Sequence, residues 1–487
     1  MIKKFTRIVL LIGIAFASVA LPARQALAAP TAIFFDVNSF LDQPDDLTMI
    51  GTCHTAVGTC TLRAAIMQAN RTSGAGSTIR LPAGLYGLTI PASGADGEEN
   101  GDLNLTTPAL GTSPQITITG AGASTTIIDA NTLDRVFNIS GNRSVTISGV
   151  TIRNGYLTGT DGGGIFNYGA LTLNNCTITG NRSFDGGGIF TAYSLTINNS
   201  TISGNHAGDG AGIDNFGLSF LTVNNSTISA NIGSNVGGGI TNNINSTLVV
   251  SNSTISLNNS ALYGGGIWNN GSAEVSGSTV YGNSATDGGG IYNSYDLTMW
   301  NSTLSQNTAK DSGGGIYNAA GHANVYNVSI VGNGADTDIV SGSAGGVYNG
   351  VAATFNMRNT LVAGNNVSNS PQYDDCTGTL NSYGVNLFWS VIGCTVTNGA
   401  GGAWTNLNAL NTLGPLQDNG GPTWTVALLQ GSNAIDGGDP VFGCIDYAAK
   451  PFTTDQRGFP RVVGVRCDIG AFEYSPLTYL YLPVLFR

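Results

Sequence analysis

The sequence predicts an all-β solenoid, a single-stranded right-handed parallel β-helix of about ten or more coils with a short N-terminal capping helix and an irregular C-terminal cap. Three observations carry this. Gly-Gly-Gly-Ile recurs at 162–165, 186–189, 237–240, 264–267, 288–291 and 313–316, with diverged copies at Gly210–Ile213 and Ala344–Val347. From Ile165 to Val347 the intervals are 24, 24, 27, 27, 24, 25 and 31 residues, a period that belongs to solenoids. Within each repeat, runs such as Leu171-Thr172-Leu173 and Cys176-Thr177-Ile178 alternate apolar with polar residues, which is the pattern of strands buried on one face.

A 24-residue repeat has room for three short strands and their turns but not for a helix of ordinary length, which excludes leucine-rich and ankyrin-type solenoids. Stacked coils place equivalent residues about 4.8 Å apart. Ile165, Ile189, Ile213, Ile240, Ile267, Ile291 and Ile316 then form one aliphatic column, and Ile178, Ile202, Ile228 and Ile255 form a second. Asn181, Asn205, Asn231, Asn258, Asn283, Asn307 and Asn333 recur as regularly, as expected of a structural ladder at a bend.

The Gly-Gly-Gly-Ile-(Phe/Tyr)-Asn and Asn-Ser-Thr-Ile-Ser-Gly-Asn runs resemble those of right-handed parallel β-helix proteins of the pectate-lyase-like superfamily and the repeats of bacterial polymorphic outer-membrane proteins. The resemblance covers about 116–387 and bears on fold more than on chemistry.

The ends differ from the repeat. Lys3, Lys4 and Arg7, an apolar run over 8–21 and Ala26-Leu27-Ala28 make residues 1–28 read as a signal peptide. No later stretch approaches the ~20 apolar residues of a membrane span. Residues 29–78 are expected to cap the first coil: Leu62, Ala65, Ile66 and Ala69 share one helical stripe. Here Cys60-Thr61-Leu62-Arg63-Ala64-Ala65 resembles the CSLREA domain, with Thr61 and Ala64 departing from its Ser and Glu. The β-helix is assigned to 79–400. The following 401–474 breaks the repeat, and its Gly414-Pro415-Leu416, Gly431-Ser432-Asn433-Ala434-Ile435-Asp436 and Cys467-Asp468-Ile469-Gly470 runs resemble the choice-of-anchor Q domain. Residues 475–487 are similar to a short Tyr-Leu-Pro ending with Arg, which implies a sorting or attachment tail.

Removing Lys3, Lys4, Arg7 and Arg24 with the leader takes the net charge from −11 to −15, so nucleic acid is not an expected partner. Cysteine spacing suggests local disulfides Cys53–Cys60, Cys376–Cys394 and Cys444–Cys467 in a secreted chain, leaving Cys176 as a buried thiol. No cysteine spacing resembles a zinc site.

Three sets of residues stand out for chemistry. Asp161, Asp185 and Asp209 precede successive glycine runs, as do Asp287 and Asp311. Stacked at rung spacing, like charges repel by roughly 1 kcal/mol each in water, which a bound Ca²⁺ would relieve. The alternative is that Asp-Gly makes the turn and the charges are solvated; beyond Ca²⁺ no cofactor is expected. Alternation sends Phe166, Phe190, Trp268, Tyr292, Tyr317 and Tyr348 outward as a column broken by Asp214 and Thr241, and such a column either binds a ligand or stacks on itself. Asp436, Asp455, Arg457, Asp468 and Glu473 suggest an ion-pair network in the cap. The expected function is a secreted or bacterial cell-surface element, non-catalytic and adhesin-like, whose partner is a carbohydrate or a cell-surface component. The alternatives are a polysaccharide lyase or glycoside hydrolase of this fold, and a structural envelope component. No clustered acids of the kind a hydrolase needs, and no base beside a cation of the kind a lyase needs, occur in the repeats, so no catalytic residue is assigned.

Overall fold

A computed structural model describes residues 32–476 apart from 48, 73–75, 94–96, 108–113, 142, 338–341, 369–373, 400–401 and 446–448. The expected signal peptide, 1–28, and all but the first two residues of the expected tail, 475–487, lie outside the described residues. The chain winds as a parallel β-helix, and equivalent positions of successive repeats pair directly: Ile165 with Ile189, Leu171 with Leu195 and Ile178 with Ile202.

Each coil contributes a three-residue strand after the glycines (Ile165–Asn167), a five-residue strand (Ala170–Asn174) and a second three-residue strand (Thr177–Thr179). We refer to their stacks as the glycine ladder, the long ladder and the short ladder. The first two share a 24-stranded sheet, and the short ladder has 13 strands. Seven coils add a two-residue strand, from His206–Ala207 to Asn366–Val367, which forms a fourth ladder that the alternation does not reveal. Ile33–Asp36 pairs with Ser77–Leu81, so the long ladder begins one strand ahead of the assigned start at 79. At the other end the short ladder runs on to Ala403–Asn406.

The interior is lined by aliphatic side chains. Ile165, Ile189, Ile213, Ile240, Ile267, Ile291 and Ile316 are fully buried in one column, as are Ile178, Ile202, Ile228 and Ile255 in another. The first glycine of each run has φ between 54° and 73°, a conformation that costs any residue with a Cβ, and a Cβ on the third, Gly188 for example, would run into the carbonyl of Gly212. Glycine is thus required by backbone shape and by rung packing together.

The buried asparagines form a continuous ladder. Nδ2 of Asn181 donates to Oδ1 of Asn205, and the pattern continues through Asn231, Asn258, Asn283, Asn307 and Asn333 to Asn365 at 2.9–3.0 Å. The same oxygens accept the backbone N–H of the preceding asparagine. The ladder ends on Asp375, whose Oδ1 accepts both N–H and Nδ2 of Asn365 while Oδ2 accepts the N–H groups of Trp389 and Ser390. Asp375 is fully buried, and burial pushes its carboxyl up to about 7 despite these donors. A second buried ladder runs through Asn215, Asn242, Asn269, Asn293, Asn318 and Asn349 with 2.7 Å amide bonds.

At the N-terminus the helix Leu62–Arg71 is capped by Thr61, whose hydroxyl accepts from the N–H of Ala64. The stripe Leu62, Ala65, Ile66 and Ala69 faces the core, but the polar side is buried as well. Arg63 makes a bidentate pair with Asp42 at 2.6 and 3.2 Å and donates to the carbonyls of Gly101 and Asp102, and Gln68 donates to Asp45.

The C-terminal region is irregular, as its sequence implies, and it lies along the flank of the coils. After the antiparallel hairpin Leu413–Gln417 with Thr425–Leu428, it runs back beside the short ladder. Thr423 donates to the carbonyl of Gly277, Gln456 accepts from Thr303, Ala471 N–H donates to Ser329 and Gly470 N–H to the carbonyl of Asn359. All three disulfides are formed between the expected cysteines, and Cys176 is a buried free thiol that takes a serine's place in the column of Ser200, Ser226 and Ser253.

Replacing Asn231 with Leu leaves the N–H of Asn205 and one of its two Nδ2 hydrogens buried without an acceptor, while Nδ2 keeps its bond to the carbonyl of Ile178. A loss of about 3 kcal/mol in denaturant unfolding is expected, against less than about 1 kcal/mol for Asn174→Ala at the half-buried strand end; equal losses would show that the buried ladder holds no special share of the stability.

Candidate functional site

The outward column exists, and it is stacked. Phe166 and Phe190 lie 5.3 Å apart at 9° between planes, Tyr292 and Tyr317 5.0 Å apart at 8°, and Tyr317 and Tyr348 4.4 Å apart at 15°. Trp268 registers between Thr241 and Tyr292. Stacking leaves Phe166, Trp268, Tyr292, Tyr317 and Tyr348 half-buried and Phe190 only 5% exposed. Most of each ring face is therefore already used by its neighbour.

Several exposed rings lie beside this column, on the turns that join the glycine ladder to the long ladder or, for Phe220, on the first residue of the long strand. Tyr168, Tyr193, Phe216, Phe220 and Tyr295 are 46–61% exposed there, and Leu218 and Ile244 join them. The edge is continuous with the column, since Tyr168 is 5.0 Å from Phe166 and Phe216 is 5.6 Å from Phe190. These residues sit where repeats vary in length and identity, so periodicity does not single them out. Their only sequence signal is an aromatic residue within a few positions after the column residue.

The break in the column is acidic. Asp214, paired in register with Phe190 and Thr241, is 2% exposed, and its carboxylate accepts from Nδ2 of Asn243 at 2.6 Å. Burial, with Asp185, Asp209 and Asp161 nearby, holds its carboxyl well above the usual range. The aspartates ahead of the glycines act chiefly on the backbone. Asp161 accepts the N–H of Asp185, Asp185 accepts that of Asp209, and Asp209 accepts from Asn235 Nδ2 and Val236 N–H. Burial and the neighbouring carboxylates push Asp185 up to about 6, and burial raises Asp161 and brings Asp287 to about 6. Among the described residues no three or more His, Cys, Asp or Glu side chains gather as a metal-binding group.

The polar set of the C-terminal region is a buried network centred on two arginines. Arg457 donates from Nε and Nη2 to the single oxygen Oδ2 of Asp455 at 2.8 and 2.7 Å, donates to the carbonyl of Glu473 and lies 3.6 Å over the ring of Phe472. Arg461, which the sequence does not mark, is 1% exposed among Glu473, Asp455 and Asp468. Asp436 and Asp468 accept backbone N–H groups of Val465, Arg466 and Tyr474. Burial raises Glu473 to about 7 and Asp468 to about 6. The network joins loops to one another and leaves no open carboxylate pair.

No protein-family model matches the chain, and no curated protein sequence does either. Among solved structures, it is similar to one described as the crystal structure of pectate lyase Pel9A, with a TM-score of 0.43 and 14% identity over 92% of this chain and 98% of that one. A likeness at that level carries no chemistry to this chain. The resemblances at Cys60–Ala65 and over 413–474 rest on their own residues.

Asp185, Asp287, Asp375, Asp468 and Glu473 all have folded-state carboxyl values above the ~4 of an unfolded chain. Such groups favour the folded state below pH 4, and this contribution is lost as pH rises through 6 to 7. The melting temperature is expected to fall by several degrees between pH 5 and pH 8; a rise across that window would contradict the burial of these acids. Because the Asp161, Asp185 and Asp209 carboxylates are engaged with backbone N–H groups, chelation with EDTA is expected to leave the melting temperature unchanged, and a clear drop would assign Ca²⁺ to this column.

Proposed function

We propose that the protein is an extracellular, non-catalytic β-helix that holds a carbohydrate polymer along the aromatic edge formed by Tyr168, Tyr193, Phe216, Phe220 and Tyr295. The exposure of that edge is the observation that carries the reading. Isolated exposed rings are common on protein surfaces, but Tyr168, Tyr193, Phe216 and Phe220 follow one another on three successive rungs with Ile244 on the next, and an exposed apolar strip of that kind marks a binding surface; Tyr295 stands three rungs beyond Phe216. Sugar rings present apolar C–H faces that pack on aromatic faces, while their hydroxyl groups suit the surrounding Asn, Ser and Thr surface. A polymer laid along the coil axis meets one ring after another, so weak contacts add.

The extracellular assignment is supported by three disulfides, which persist in oxidising compartments. No helix among the described residues is long and apolar enough to cross a membrane. An adhesin-like role on a cell surface follows if the tail 475–487 attaches the chain.

A hydrolase reading draws on Asp214, whose carboxyl burial holds well above the usual range beside Phe190. Its burial and its bond to Asn243 keep it away from a polymer on the surface, so binding without cleavage is the better account.

Affinity electrophoresis of the purified protein through gels containing neutral or acidic polysaccharides tests this, with parallel assays for new unsaturated or reducing ends. Retardation by at least one polymer without new ends is expected, and the triple variant Tyr168→Ala, Phe216→Ala, Phe220→Ala is expected to lose it at least tenfold while melting normally. Cleavage of any polymer would replace the binding reading by an enzymatic one. No retardation on any polymer would leave a structural envelope role.

A further inference from the structure

The two ends of the coil stack are finished differently. At the N-terminal end the helix Leu62–Arg71 lies over the first coil, and Leu62, Ala65, Ile66 and Ala69 join the interior column. The first strand there, Ile33–Asp36, ends on a charge, with Asp36 3.2 Å from Arg80. At the C-terminal end the last coil consists of the strands Cys394–Asn398 and Ala403–Asn406, which pair with Gly378–Ser382 and Val385–Phe388 of the coil before. Among the described residues no strand pairs with their far edges.

The returning C-terminal segment does not cover this end. Its Leu428, Ala434, Ile469 and Phe472 pack with Leu361, Ala363 and Leu387, whereas the alternate residues Val362 and Phe388 of the same strands belong to the interior. The segment therefore lies on the flank, and the interior column runs out at Val391, Val396 and Trp404, which are only partly buried. One coil earlier, Leu380 and Phe388 are fully buried. Trp404 meets Phe388 edge-on at 6.2 Å, and Ile392, at the bend into the last coil, is 57% exposed. The edge is also unguarded. Native sheets protect a free edge with charge, proline or a covering element, because its unpaired N–H and C=O groups template a further strand. No charged residue occurs between Asp375 and Asp418, and no proline between Pro371 and Pro415. The disulfide Cys376–Cys394 ties the last coil to its predecessor and so holds the edge in place.

Every inner coil presents a surface of this kind to the next, so its complement is another strand edge with apolar groups beside it. The N-terminal end of a second copy does not supply one, because the helix and the charged strand stand in the way. The last coil of a second copy does. We infer that two copies join end to end through their last coils about a two-fold axis. An axis lying in that interface reverses a strand onto its own copy, so Cys394–Asn398 of one protomer runs antiparallel beside Cys394–Asn398 of its partner. Val391, Val396 and Trp404 of both copies are enclosed between the ends. The assembly is closed, since each copy uses its open end and no third chain can add. It does not depend on what the aromatic edge binds.

Sedimentation velocity and small-angle X-ray scattering of the purified protein test this. At tens of micromolar the protein is expected to sediment as a dimer, with a maximum dimension close to twice that of the monomer. Thr395→Lys with Thr397→Lys, which sets lysines opposite lysines across the new strand pair, should weaken dimerisation at least tenfold at an unchanged melting temperature. Because Thr397 also donates to Oδ1 of Asn381 at 2.8 Å, Thr395→Lys alone provides a second variant that leaves that bond in place, and it too should weaken dimerisation. Ile50→Lys, on the exposed surface of the opposite cap, should dimerise as the unaltered chain does. A dimer no longer than one copy, a dimer indifferent to both Thr395 variants, or open-ended polymers would each overturn the inference. So would a monomer; if deleting 477–487 then released dimerisation, the chain's own tail would be the cover.

Discussion

The stacked amide of the buried asparagine ladder is the interaction on which the rest of the architecture depends. Each side-chain oxygen accepts two N–H groups from the rung before it, so every coil must bring its asparagine to the same height and angle as the last. That requirement explains why repeats of 24 to 27 residues superpose although their loops differ in length. Extra residues are expelled into turns, and the strands on either side of the asparagine keep register. Aspartate ends the series because a carboxylate has acceptors on both oxygens and can receive the final amide while gathering N–H groups from the irregular chain beyond.

Strict register has a consequence for the outer surface. Identical side chains lie about 4.8 Å apart, close enough for rings on adjacent rungs to stack, and the column from Tyr292 to Tyr348 does so. Repetition thereby consumes the ring faces that a ligand would need. Exposed rings survive where the repeat is imperfect, on turns such as 216–220 whose neighbours differ in sequence and in the path of the chain.

The acidic groups follow from a surface poor in charge. With 10% charged residues, most carboxylates find backbone N–H groups rather than cations, as in Asp161, Asp185 and Asp375. Hydrogen bonds from N–H groups only partly offset burial, so several carboxyls remain easier to protonate than in water. The two caps are the exception. At the N-terminus Arg63 is buried against Asp42, and in the C-terminal segment Arg457 and Arg461 are brought into the interior, where their guanidinium groups hold irregular loops together.

What the sequence by itself determined is the coil: its period, the inward isoleucines, the asparagine ladder, the glycine bends and the three disulfide pairs are legible because each depends on residues close in the chain or on an exact recurrence. The fourth ladder was not legible, since two-residue strands are too short to show alternation. Neither was the return of the C-terminal segment along the flank, which depends on Gln456, Gly470 and Ala471 meeting rungs more than a hundred residues earlier. Whether an outward ring is free or stacked was decided only by the tertiary structure. It is set by distances between coils, and no pattern along a single chain encodes those distances.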